Sequence, residues 1–192
     1  MTASSFSPRL PTGFGSRARA TSVATHKIHL PLPGSAIWLP LTFGKHEGKT
    51  LPQVALTDPD WLFWAEGDGI LVRFRVPRAV ELCFRARNIR ISDGTRGARV
   101  ADYVLNSSGK LSHVEVGYAN EMNRSEDRGV VRRPGLDLSV AHAIAGRDKL
   151  GAERILKALS VHVFKPMGWA RVTKERGESF FNDAANFIPM TG

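Results

Sequence analysis

Regular hydrophobic patterning begins late in this chain. Residues 1–27 mix Ser, Thr, Arg, Gly and Pro without an apolar face, and His26–Gly34 is a proline-bearing linker. Composition of this kind predicts a disordered basic tail and linker over residues 1–34. The first dense apolar run, Trp38–Phe43, contains Pro40. It predicts a short edge strand, because proline removes a ladder donor. Gly44-Lys45-His46-Glu47-Gly48 follows as a tight reversal, with two glycines that accept positive φ. Thr50 then caps a short helix, Leu51–Leu56, with Pro52 in its first turn. Asp58, before Pro59, caps a second helix, Pro59–Glu66, whose Trp61, Leu62, Trp64 and Ala65 fall mostly on one face.

Beyond the Gly67-Asp68-Gly69 turn, Ile70, Val72, Phe74 and Val76 alternate with Leu71, Arg73 and Arg75, as in a half-buried strand. Pro77 opens a helix through about Asn88. Arg99–Leu105 and Lys110–Tyr118 flank the turn cluster Asn106-Ser107-Ser108-Gly109 and predict a β-hairpin. Asn120–Pro134 is polar and broken by Gly129 and Pro134, which predicts a long exposed loop, and Leu136–Ala145 suggests a further strand. Leu150, Ile155, Leu156 and Leu159 form one stripe of a helix over Lys149–Val161, extended to Phe164 and ended by Pro166. Thr173 caps a last helix, Lys174–Phe181, before a terminal loop.

The pattern predicts an α+β chain with a short antiparallel sheet, a β-hairpin and three to five helices behind the tail. It divides into a module over residues 35–92 and a hairpin-plus-helix lobe over 98–190, joined at Ser92–Gly97 or continuous with each other. A chain of 192 residues can bury one core or two small ones, and 42% hydrophobic with 23% charged residues is ordinary. Charge changes the picture: the net value is +9. The chain carries no acid before Glu47, so Arg9, Arg17, Arg19, Lys27 and Lys45 supply +5 of it. The tail is therefore read as a disordered segment, an acid-free transit peptide or a nucleic-acid-contacting arm, though its prolines and glycines spoil an amphipathic helix. It has no apolar core of a secretory signal, and no run approaches the roughly 18 apolar residues of a membrane span. A single cysteine, Cys83, excludes an internal disulfide and suits a reducing compartment, hence a cytoplasmic location.

Gly44–Thr50 invites comparison with a phosphate-binding P-loop, which needs four residues between its first glycine and the Gly-Lys-Ser/Thr. Here only three separate Gly44 from Gly48, and Pro52 removes an amide from the next turn. The P-loop is rejected. The order Phe43, Gly44, Lys45, Gly48, Lys49, Leu51, followed by an Asp-Trp-bearing helix, resembles instead a Phe-Gly-Lys-x-x-Gly-Lys/Arg core. That core belongs to the C-terminal domain of exodeoxyribonuclease X-like proteins, and a quorum-sensing-regulated virulence factor family shares it. The resemblance covers about residues 38–88. It implies a small α+β module that accompanies DNA-processing proteins. Nuclease activity does not follow, because the metal-binding carboxylates of such nucleases belong to a separate preceding domain.

Catalytic constellations are thin. Asp58, Asp60, Glu66 and Asp68 cluster within eleven residues and are a nominal magnesium set, better explained by capping and turns. The nuclease order Pro-Asp then Glu-x-Lys is reversed here, since Glu47-Gly48-Lys49 precedes Pro59-Asp60. His26 and His29 lack a third ligand, and His113 with Glu115 on one strand face lacks a third member. Cys83 sits in an apolar helix pattern and reads as packed rather than nucleophilic. Trp61, Phe63 and Trp64 read as structural aromatics, with base stacking as the alternative. No cofactor is expected.

Arg73–Arg99 holds eight arginines against Glu81 and Asp93. Arg73, Arg75, Arg78 and Arg85 are either a solvated basic face or a phosphate-binding surface, since arginine forks match phosphate oxygens. Phe43, Gly44, Lys45, His46, Gly48 and Lys49 are the matching candidate phosphate contact. Two functions stand. One is a non-catalytic accessory module binding DNA or RNA through this basic surface. The other is a scaffold domain that binds a partner protein and no nucleic acid.

Overall fold

Seven α-helices and a three-stranded antiparallel sheet make up the described residues of the computed structural model, which are 37–92, 99–122 and 129–189. The helices are α1 (Leu51–Ala55), α2 (Pro59–Gly67), α3 (Ile70–Arg73), α4 (Ala79–Arg87), α5 (Val140–Ala145), α6 (Gly151–Leu159) and α7 (Lys174–Asn182). The strands are β1 (Arg99–Leu105), β2 (Leu111–Tyr118) and β3 (Gly129–Arg133), in the order β2-β1-β3. The α+β class holds, with more helices than the sequence pattern suggested. The tail expected over 1–34 and the hinge loop expected at Ser92–Gly97 lie outside the described residues, apart from Ser92. No described helix is long and apolar enough to cross a membrane.

Local signals placed most boundaries. Asp58 Oδ1 accepts from Trp61 N–H at 3.2 Å and starts α2, while Thr173 Oγ1 accepts from Arg176 N–H at 3.3 Å and starts α7. Gln53 Oε1 accepts from Thr50 N–H at 2.9 Å and holds the first turn of α1. At the hairpin, Asn106 Oδ1 accepts from the N–H groups of Ser108 and Lys110, both at 3.0 Å, and Gly109 takes φ 71°. Helix α6 runs on into a π turn, Ser160–Phe164, closed by Lys165 N–H on the Ser160 carbonyl at 2.9 Å.

Four expectations are corrected. Ile70–Val76 is not a strand. Its first four residues form α3, entered through Gly69 at φ 67°, and the buried residue is Leu71 while Val72 is 72% exposed. With Arg75 at φ 50° and Arg78 at φ 59°, this backbone turns too sharply to lie along a neighbour. Trp38–Phe43 is likewise no strand. It makes one isolated bridge, Pro40 to Thr50, and Leu41 brackets the glycine turn through Lys49 O at 2.9 Å and Gly48 N–H at 2.8 Å.

The loop expected over Asn120–Pro134 contains β3, which pairs with β1 from Ala101↔Arg133 to Leu105↔Gly129. Its charged character hid it. Asp102 on β1 is buried, and Arg132 meets it in a two-pronged pair at 2.7 and 2.6 Å. Leu136–Ala145 makes only one bridge, Leu136 to Ile89, and then turns helical. Asp137 Oδ1 accepts from the Ser139 N–H at 2.9 Å and from its hydroxyl at 2.6 Å, which tightens that turn.

One apolar core joins both halves of the described chain. Leu62, Leu82, Ala86 and Ile89 from the first half are packed with Tyr103, Leu136, Leu138 and Ile155 from the second. Tyr103 anchors it with its hydroxyl donating to Asp137 O at 3.0 Å and accepting Asp137 N–H at 2.6 Å. The same core includes a chain of ring contacts linking Phe164, Phe180, Phe181 and Phe187, with Trp169 stacked on Phe164.

Candidate functional site

The glycine turn is assembled around one carboxylate. Gly44 at φ 71° and Gly48 at φ 79° bracket a single 3₁₀ turn, Gly44–His46. That turn folds His46 inward and leaves Lys45 and Lys49 at the surface. Asp58 Oδ1 caps α2, and its Oδ2 receives both Lys45 Nζ at 2.7 Å and His46 Nε2 at 2.9 Å. A carboxylate only accepts, so the His46 proton in this bond sits on Nε2. Burial works against the charged Asp58, but the hydrogen bonds from Lys45, His46 and Trp61 N–H outweigh it and hold its pKa below the usual aspartate range. The His46 ring stands edge-on to Trp61 at 4.8 Å, locking the turn to α2.

Beside this cluster lies a hollow of about 320 Å³, between the turn, α2 and the end of α5. Lys45 and Trp61 bound it on one side, and His142, Gly146 and Lys149 on the other. Trp61 is 8% exposed and packed on His46, whereas Trp64 is 41% exposed and borders the hollow. Asp60 contributes too, paired to His142 Nδ1 at 2.8 Å. His142 and Lys149 were not found by sequence reasoning. His142 lies 82 residues from its partner Asp60, on an element whose apolar start read as a strand, so no local signal joined them.

The basic residues divide into two kinds. Phe43 stacks on Phe74 at 4.0 Å, and the Arg73 guanidinium lies 5.1 Å over Phe74, which brings exposed Arg73 beside the glycine turn. Arg75 is exposed as well. Arg78 and Arg85 are instead structural fasteners. Arg78 grips Glu81 at 2.8 and 3.0 Å and Asn182 at 2.8 Å, with its guanidinium 3.7 Å over Trp38. Arg85 pairs with Glu81 at 2.9 Å and donates to the Phe181 carbonyl. Arg87 is held by Glu66 in the same way, at 2.8 and 2.5 Å. The arginine run thus spends much of its charge inside the fold.

The remaining candidates fall to structural roles or stay apart. Glu66 and Asp58 are committed as above, and Asp68 ends α2. Cys83 is fully buried, and burial, with the Glu66 carboxylate nearby, pushes its thiol up to about 12. His113 and Glu115 are both exposed on β2. His26 and His29 lie outside the described residues. Among the described residues no His, Cys, Asp or Glu group has the geometry of a metal site. Comparison with family models, curated proteins and solved structures gives no match.

Proposed function

We propose that this protein is a non-catalytic module that binds single-stranded nucleic acid beside its glycine turn. Trp64 offers a stacking face for a base, and Lys45, Lys49 and Lys149 meet the flanking phosphates, with Arg73 extending the contact. The observation that carries this reading is the meeting of an exposed indole with Lys45 and Lys149 in one hollow. A stacking face needs an unpaired base, which favours single strands over duplex. Phosphate contacts position without specifying, so binding is weakly dependent on sequence. Quenching of tryptophan fluorescence on titration with short single-stranded DNA and RNA, against the same sequences as duplex, tests it. Base–aromatic stacking contributes about 1–3 kcal/mol per base, so Trp64→Ala is expected to weaken single-strand binding about tenfold. Equal or tighter duplex binding, or an unchanged Trp64→Ala, would contradict it.

The scaffold alternative draws on a different face. An apolar groove of about 670 Å³ runs between α4 and the C-terminal segment, bounded by Val80, Phe84, Phe187 and Ile188. Val80 is 77% exposed, which favours a protein partner there. Binding of oligonucleotide that survives Val80→Asp separates the two readings.

A further inference from the structure

A third cavity, of about 360 Å³, opens where the start of β2 faces α6 and the π turn that follows it. Arg154 and Lys157 stand three apart on α6 and so share one helical face. The π turn then adds His162 to the same wall, and β2 supplies His113 from the opposite one. Single π turns inside α-helices are rare and occur often at functional sites. No carboxylate bounds the cavity among the described residues: Glu115 of β2 and Glu153 of α6 are exposed outside it.

The arginine is held in place from behind. Buried Asp148 receives Arg154 Nη1 at 2.7 Å and Leu111 N–H at 3.0 Å, and the same Nη1 donates to Leu111 O at 2.9 Å. That anchoring leaves the Nε and Nη2 hydrogens of the fork without a partner among the described residues. Asp148 offsets the Arg154 charge, whereas Lys157 is exposed and forms no ion pair among the described residues, although Glu153 stands one turn before it on α6. Burial lowers the His162 pKa, and the Arg99 guanidinium adds to it in the same direction. The Arg99 Nε is itself buried without a hydrogen-bond partner among the described residues. Val114, Ala158 and Val161 complete the walls with apolar surface.

We propose that this cavity binds a small phosphomonoester, its phosphoryl group held by Arg154, Lys157 and His162 and its organic part against Val114, Ala158 and Val161. Three phosphoryl oxygens can use this number of converging donors, whereas a carboxylate has only two. The volume suits a ligand of one ring or one sugar. The cavity shares no lining residue with the Trp64 hollow.

Calorimetry on the full chain at low salt tests it with four probes: phenyl phosphate, inorganic phosphate, benzoate and phenol. Phenyl phosphate is expected to bind tightest, inorganic phosphate more weakly, benzoate about tenfold more weakly than phenyl phosphate, and phenol not at all. Lys157→Gln, at an exposed residue with no hydrogen bond or ion pair among the described residues, keeps its melting temperature. It weakens phenyl phosphate about tenfold, as loss of one charge-assisted contact does. Backbone amide shifts on adding phenyl phosphate fall at 112–114 and 157–162. Absence of phenyl phosphate binding in the millimolar range would overturn the proposal, as would benzoate binding equally well, or amide shifts at 44–49 instead. Oligonucleotide affinity unchanged in Lys157→Gln supports a separate site, and its loss in step with phenyl phosphate would overturn one.

Discussion

Removing the Asp58 carboxylate dismantles the glycine turn from its centre. In Asp58→Ala, α2 loses its N-cap, which costs about 1 kcal/mol. The buried His46 Nε2–H loses its one acceptor among the described residues, at about 1–3 kcal/mol. The Lys45 contact adds little, because that lysine side chain is 58% exposed. The total expected is about 3 kcal/mol, a large fraction of the stability of one domain. Urea unfolding followed by tryptophan fluorescence reads it directly, with Trp61 packed on His46 as reporter. Lys45→Met serves as control and should cost under about 1 kcal/mol. The pH dependence has a definite sign. The folded pKa of Asp58 is depressed, so its contribution is present above the unfolded value near 3.9 and lost as pH falls through the lower folded value. Wild type and Asp58→Asn should therefore begin to converge below about pH 4 and meet only below the lower folded value. A loss in Asp58→Ala no larger than in Lys45→Met would refute the reasoning, and so would a gap that persists at low pH.

Two further outcomes follow from the backbone and the core. Gly48→Val should lower stability by about 2 kcal/mol through strain at φ 79°, since open space surrounds the position, while Gly48→Asn should recover most of it; equal melting temperatures for Gly48→Val and wild type would show that the conformation is not required. Cys83 should resist thiol reagents at pH 8 until the chain unfolds, because its thiol is buried and raised to about 12; stoichiometric labelling of the native protein would contradict its packing.

What was legible in the sequence was local. Asp58, Thr173 and Asn106 act within two to four residues of themselves, so their caps and turn could be read without knowing the fold. The hairpin strands were legible for the same reason. The α6 stripe was so only in part: Ile155 and Leu159 are buried, but Leu150 precedes the helix and is exposed. Elements decided by distant partners were not. The charged strand β3 exists because Asp102 needs Arg132, thirty residues away. The alternation at Ile70–Val76 had no neighbour to pair with and curled into α3. The glycine turn was visible as a motif. Its hollow was not, because Lys149 and His142 arrive from the other half of the chain. The arginine run misled by charge count alone: Arg78, Arg85 and Arg87 are bound to Glu81 and Glu66 within the fold.

The central claim is that cations around the Trp64 hollow meet the phosphates of a single strand, and its direct test is a salt titration. Affinity for a short single-stranded oligonucleotide is measured against salt concentration for wild type and for Lys49→Gln/Lys149→Gln, two exposed lysines without an acidic partner in the described fold. Each neutralised phosphate contributes about 0.7 to the log–log slope on a single strand, so the double variant should flatten it by about 1.4 with its melting temperature unchanged. Lys45→Gln alone should change it less, because Asp58 already holds that charge. No affinity at low salt, or a double variant with the wild-type slope, would contradict the account.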